Sequence, residues 1–256
     1  MPNWCSNNMT VKGPKSELKR FLKSTLTKEM QKRGELKDGE WVVTGEEEVT
    51  VHSLNHLDPI PEELLNTVSG SVSDDKKADH EKQMKDNLDK YGYKDWYDYA
   101  NAVWGSKWGA SDVDVSDSNY EESGKLGFYF QSAWTPCDGL IRRISEKFPK
   151  LVFAVTYTEE ADFFAGWCVI HNGHFIATGT GETQMPQEIE EMPTDTDEQM
   201  DEYYEAMNEW QCERNDKLDD ACDKATEMVE QWIRSNARRK EKLSFREFDD
   251  YLLDKS

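Results

Sequence analysis

Apolar and polar positions alternate along some stretches of this chain and recur every three to four residues along others. Trp4 to Val11 alternates weakly, which predicts a first strand ended by Gly13-Pro14. Leu18, Phe21, Leu22 and Leu26 then follow helical spacing behind Ser16 as the expected N-cap. Gly34 to Glu48 is expected as loop, with a short strand at Trp41-Val42-Val43, and Val49 to Leu54 as the second strand of the sheet. Leu126 to Trp134 is aromatic and β-prone, and Pro136 ends it because proline has no N–H for a ladder. Leu140, Ile141, Ile144 and Phe148 lie on one helical face, and Leu151 to Tyr157 reads as a buried strand. Asn172-Gly173 between apolar runs predicts a type I′ hairpin, whose two central residues both need φ > 0.

Residues 62–123 read as a helical insertion. Asp74 to Lys90 is a charge-rich helix. Trp96, Tyr99, Ala100, Val103 and Trp104 share a helical face, and Ser111 to Gly124 is expected as an acidic loop. Residues 182–196, with Pro186 and Pro193, are expected as an acidic linker. Thr196-x-x-Gln199 is a capping-box pattern that opens a helical extension over 197–256. Its apolar stripe runs through Met200, Tyr203, Met207, Trp210, Leu218, Ala221, Ala225, Met228 and Trp232, and Arg214 interrupts it. A second stripe holds Glu198, Glu202, Glu205, Glu209, Glu213, Asp216, Asp220 and Asp223. The two are offset by two residues, about 200° around a helix, so the faces oppose one another. Ser244-x-x-Glu247 opens a last short helix with Phe245, Phe248, Tyr251 and Leu252.

The 256 residues carry a formal charge of −21, and 36% of them are hydrophobic. Between Glu182 and Glu230 there are 18 acidic residues against Arg214, Lys217 and Lys224, whereas Lys12 to Lys37 holds nine basic and three acidic residues. A polyanionic helix repels nucleic acid and membrane phosphates and attracts basic protein surfaces. Direct nucleic-acid binding is therefore disfavoured. No apolar run reaches the length of about 20 residues that a membrane span needs. Five scattered Cys point to a reducing compartment, and the expected location is the host cell cytoplasm.

Four stretches resemble a known family. They are Met-Pro-Asn-Trp-Cys-Ser-Asn-Asn at the start, Trp104-Gly105-Ser106-Lys107-Trp108, Ala133-Trp134-Thr135-Pro136, and Tyr157 to Gly166. Together they resemble the YubB-like ferredoxin-like domain family of phages and conjugative plasmids, over residues 1–181. The resemblance implies a β-α-β-β-α-β antiparallel core and a mobile-element origin, with no established reaction. The expected fold is thus α+β: a ferredoxin-like sheet, a helical insertion and an acidic helical tail, with residues 1–181 folding without that tail.

Candidate chemistry is sparse. Glu159 and Glu160 are two carboxylates at a strand end, where acid–base work is conceivable, but no nucleophile, cationic clamp or phosphate loop accompanies them. His171 and His174 flank the hairpin without further metal ligands. No cofactor motif is present, and the expectation is a non-enzymatic protein. Trp104, Lys107, Trp108 and Trp134 form a candidate aromatic surface. Phe128, Phe130, Trp134 and Phe153 are the strand aromatics on which bases would stack in a nucleic-acid-binding alternative, with the acidic tail as regulator. The favoured expectation is an accessory protein whose acidic face binds a host protein with a basic surface, in its sharpest form by nucleic-acid mimicry. Self-association as a homodimer through the apolar stripe is a further use of the same helix.

Overall fold

A computed structural model describes residues 2–37, 39–182 and 197–236. The strands are β1 (Trp4–Lys12), β2 (Leu26–Lys37), β3 (Glu40–His52), β4 (Ser111–Asp117), β5 (Lys125–Ala133), β6 (Val152–Glu159), β7 (Ala165–His171) and β8 (His174–Thr180). The helices are α1 (Lys15–Ser24), α2 (Glu62–Leu65), α3 (Lys77–Tyr91), α4 (Trp96–Tyr99), α5 (Tyr120–Ser123), α6 (Asp138–Lys147) and α7 (Asp197–Asn236). Six strands form one sheet in the order β4-β5-β1-β6-β7-β8. The first four, with α1 and α6, make the ferredoxin-like β-α-β-β-α-β unit, and β7–β8 extends it beyond β6.

Strand alternation divides the sheet into two faces. Cys5, Met9 and Val11 of β1 and Leu126, Phe128 and Phe130 of β5 are buried on the face covered by α1 and α6. There Phe21 meets Phe128, Phe148 and Phe153 edge-on, with ring centroids 5.5, 5.0 and 5.4 Å apart. Edge-to-face packing suits the aromatic quadrupole. Leu140, Ile141, Ile144 and Phe148 are buried as their spacing predicts. The Asn172-Gly173 turn has φ of 47° and 83°, a type I′ turn that sets His171 opposite His174. Gly173 is needed there for space as well as for φ, since a Cβ would stand 2.5 Å from Glu146 Cγ.

The second strand of the sheet is not where the sequence places it. Val49 to His52 belongs to β3, which among the described residues pairs with β2 in a separate two-stranded ribbon, so Gly34 to Lys37 and Glu40 to Glu48 are strand and not loop. The sheet takes β4 instead, from the stretch expected as an acidic loop. Val113 and Val115 pack on the core while Asp112, Asp114 and Ser116 are exposed. Its pairing with β5 is irregular, and Gly127 makes room for Ser116, whose Oγ would lie 2.6 Å from a Cβ.

The other face of β6, β7 and β8 is covered by α7. Val152, Ala154, Val169 and Ile176 form a second core with Cys222, Val229 and Trp232. The apolar stripe of the tail therefore lies against the chain's own sheet. All of the expected linker over 182–196 except Glu182, and the short helix around Phe245, lie outside the described residues.

Candidate functional site

The placement of α7 follows from its buried seam: Arg214, Leu218, Cys222, Thr226, Val229 and Trp232, in steps of three and four. This seam is displaced by one residue from the predicted stripe, since Ala221 and Ala225 are half-buried and Met228 is exposed. Arg214, the apparent interruption, is part of the seam. Its side chain is 3% exposed, and Nη1 donates to Asp162 Oδ1 at 2.7 Å in the β6–β7 turn. Gln211 Nε2 donates to the other oxygen, Oδ2, at 2.7 Å. The Trp210 ring lies 4.8 Å below the guanidinium.

With that seam turned inward, Glu202, Glu205, Glu209, Glu213, Asp216, Asp220 and Asp223 are all exposed. The side chain of Glu198 lies outside the described residues. Lys12 Nζ, 3.6 Å from Asp223, forms the ion pair between this row and the basic Lys12–Lys37 stretch among the described residues. Asp219, also exposed, lies beside Thr156 at the edge of the groove. Partial desolvation raises its carboxyl above the usual range, and Asp223, Asp216 and Asp220 raise it further against the hydrogen bond with Thr156. Between α7 and strands β1 and β6 runs a polar groove of about 240 Å³, lined by Ser6, Asn8, Thr156, Thr158, Gln211 and Asn215. Past Asp219 it meets a second hollow of about 370 Å³ beside Thr10, Lys125 and Asp223.

Glu159 and Glu160 do not form a pair. Glu159 is buried, and its Oε2 accepts from the Ala161 and Phe163 N–H groups at 3.0 and 3.1 Å. It caps the turn that carries Asp162. Glu160 is exposed. His171 is buried against Leu151 O, which lies 3.0 Å from its Nδ1, while His174 is exposed. Burial holds the His171 imidazole below its ordinary pKa. Among the described residues, no group of three His, Cys, Asp or Glu converges on a metal-sized site.

Of the expected aromatic surface, Lys107, Trp108 and Trp134 come together and Trp104 does not. Trp104 is 5% exposed, and its Nε1 donates to Asp58 O at 3.1 Å. Trp4 and Tyr97, which the sequence did not single out for this surface, take its place. Trp108 lies 6.0 Å from Trp4 and 5.7 Å from Trp134, between ring centroids. Phe128, Phe130 and Phe153 lie in the core under α1 and α6, so bases cannot stack on them.

Comparison with a family model supports the fold. Residues 104–204 match the family model described as the ferredoxin-like domain in Api92-like protein. The match begins at Trp104 and runs through β4 to β8 into α7. A crystal structure of protein api92 from Yersinia pseudotuberculosis is similar at 11% identity and a TM-score of 0.42, covering 73% of this chain and 100% of that one. No curated protein matches the chain in sequence.

Proposed function

We propose that this protein is a non-enzymatic binding protein that presents the exposed acidic row of α7 to a basic surface of a partner protein. The observation that carries this reading is the inward seam from Arg214 to Trp232. It occupies the apolar stripe along that length and holds the acidic side chains outward. Homodimer formation through the stripe would compete with this packing. From Glu198 to Glu230 the helix carries twelve acidic and three basic residues. That is a net charge every ~5 Å at a rise of about 1.5 Å per residue, against one per ~1.7 Å in duplex DNA. The density suits a basic protein patch better than imitation of a duplex. The resemblance of the opening motifs to a phage and plasmid family favours a host protein, in the cytoplasm, as the partner.

Reversing Glu205, Glu209, Asp216 and Asp220 to Lys tests the reading. The parent should capture basic proteins from a host lysate at low salt and release them toward 1 M. There the Debye length falls from about 10 Å at 0.1 M to about 3 Å. The reversed protein should capture none of them and keep its thermal transition. Equal capture by both would make the acidic row a solvated surface.

A further inference from the structure

Lys107 stands where three aromatic rings converge. Its Nζ is 4.7 Å from the Trp108 ring centroid, 5.5 Å from Trp134 and 5.7 Å from Tyr97. The chain has 52 acidic residues. Yet, among the described residues, no carboxylate pairs with this ammonium, and ring faces are its partners. A ring face attracts a cation through its quadrupole and favours cations that are weakly hydrated.

The box is built to keep its shape. Trp134 sits at φ of 63°, a conformation uncommon outside glycine, and its N–H donates to Asn3 O at 2.8 Å. Asn55 holds the Trp108 loop from both sides: Nδ2 donates to Trp108 O at 3.0 Å, and Oδ1 accepts from Ala110 N–H at 2.9 Å. Gly109 is open enough for that contact, since a Cβ there would fall 2.4 Å from Asn55 Oδ1. Tyr97, Trp108 and Trp134 remain 42%, 38% and 44% exposed. Tyr97 N–H donates to Asp95 Oδ1 at 2.8 Å at the start of α4. The rings therefore come from three separate segments, each with a backbone contact that does not involve Lys107, and are open to solvent.

We infer that the Tyr97–Trp108–Trp134 box is a binding site for the guanidinium of a partner protein's arginine, and that Lys107 fills it in cis until that arginine arrives. A planar, weakly hydrated guanidinium stacks on aromatic faces better than an ammonium does. A chain of net charge −21 draws basic partners toward it. The site is separate from the acidic row, and its cation preference stands whether or not that row binds a protein.

The test titrates N-acetyl-arginine amide into the full chain while following the indole N–H signals of its nine Trp by NMR. In Lys107→Met, which keeps the stem and removes the charge, the Trp108 and Trp134 signals should shift and saturate. The parent should bind about tenfold more weakly, because the self-filled box is seldom free. The uncharged citrulline amide should shift neither signal. Tyr97→Ala, on the exposed side of α4, and Trp134→Ala should each abolish the response. The inference is overturned if arginine and citrulline amides act alike on Lys107→Met, if neither acts, or if the shifts survive loss of Tyr97 or Trp134.

Discussion

Arg214 and Asp162 are 52 positions apart in the chain, and their side chains meet at 2.7 Å, with 3% of one and 11% of the other exposed. The pair joins the middle of α7 to the β6–β7 turn. Asp162 stands there at φ of 59°, a left-handed conformation that Asp tolerates better than most residues. Removing one partner strands the other's buried charge, whereas replacing both with uncharged side chains leaves no charge behind. Arg214→Ala should therefore cost about 3–5 kcal/mol. Arg214→Met combined with Asp162→Asn should cost clearly less. Denaturant unfolding of both variants against the parent checks this, and equal losses would mean that the charge is of no consequence.

Removing α7 uncovers Val152, Ala154, Val169 and Ile176 together. A chain ending at Gly181 should bind a dye specific for exposed apolar surface and melt at lower temperature than the full chain. Trp232, 2% exposed, is the largest side chain that α7 contributes to this core. Trp232→Ala should cost about 3–5 kcal/mol in the full chain. A truncation that melts like the parent and binds no dye would make α7 an appendage.

Asp219 supplies a pH dependence of defined sign. Although the residue is exposed, partial desolvation beside Thr156 raises its carboxyl above the usual range, so the folded state disfavours the charged form. That penalty is fully present above the folded pKa and vanishes below the unfolded one, near 3.9. Asp219→Asn should raise the melting temperature at pH 7, and the advantage should shrink as pH falls through the carboxylate range. A melting curve series from pH 7 to pH 3 reads both features. An advantage that is constant with pH would exclude desolvation of the charge as the cause.

His171 acts in the opposite direction, at higher pH. Burial holds it neutral in the folded chain, while the unfolded imidazole takes up a proton near pH 6.5. Stability should fall as pH drops through about 6.5, and His171→Gln should remove this part of the slope. A slope that persists in the variant would assign it to other groups.

Local sequence sufficed wherever the physical cause was itself local. The Asn-Gly pair determined the hairpin, because only such residues take up two positive φ values in succession. The spacing of Leu140, Ile141 and Ile144 determined the inward face of α6, and the opposed stripes determined that α7 has one. Even β4 carried its signal, an alternation of Val113 and Val115 with Asp112, Asp114 and Ser116 that the acidic composition masks. Tertiary structure alone decided which surface receives α7, because that choice depends on groups distant in the chain. Arg214 breaks the apolar rhythm when read in order, and it belongs to the seam once Asp162 stands across from it. For the same reason Trp104, inside a motif with Trp108, is consumed by the core at Asp58, while Tyr97 and Trp134 arrive from elsewhere to surround Lys107. Periodicity reports whether a side chain is turned inward, but the group it meets there is set by how the whole sheet closes.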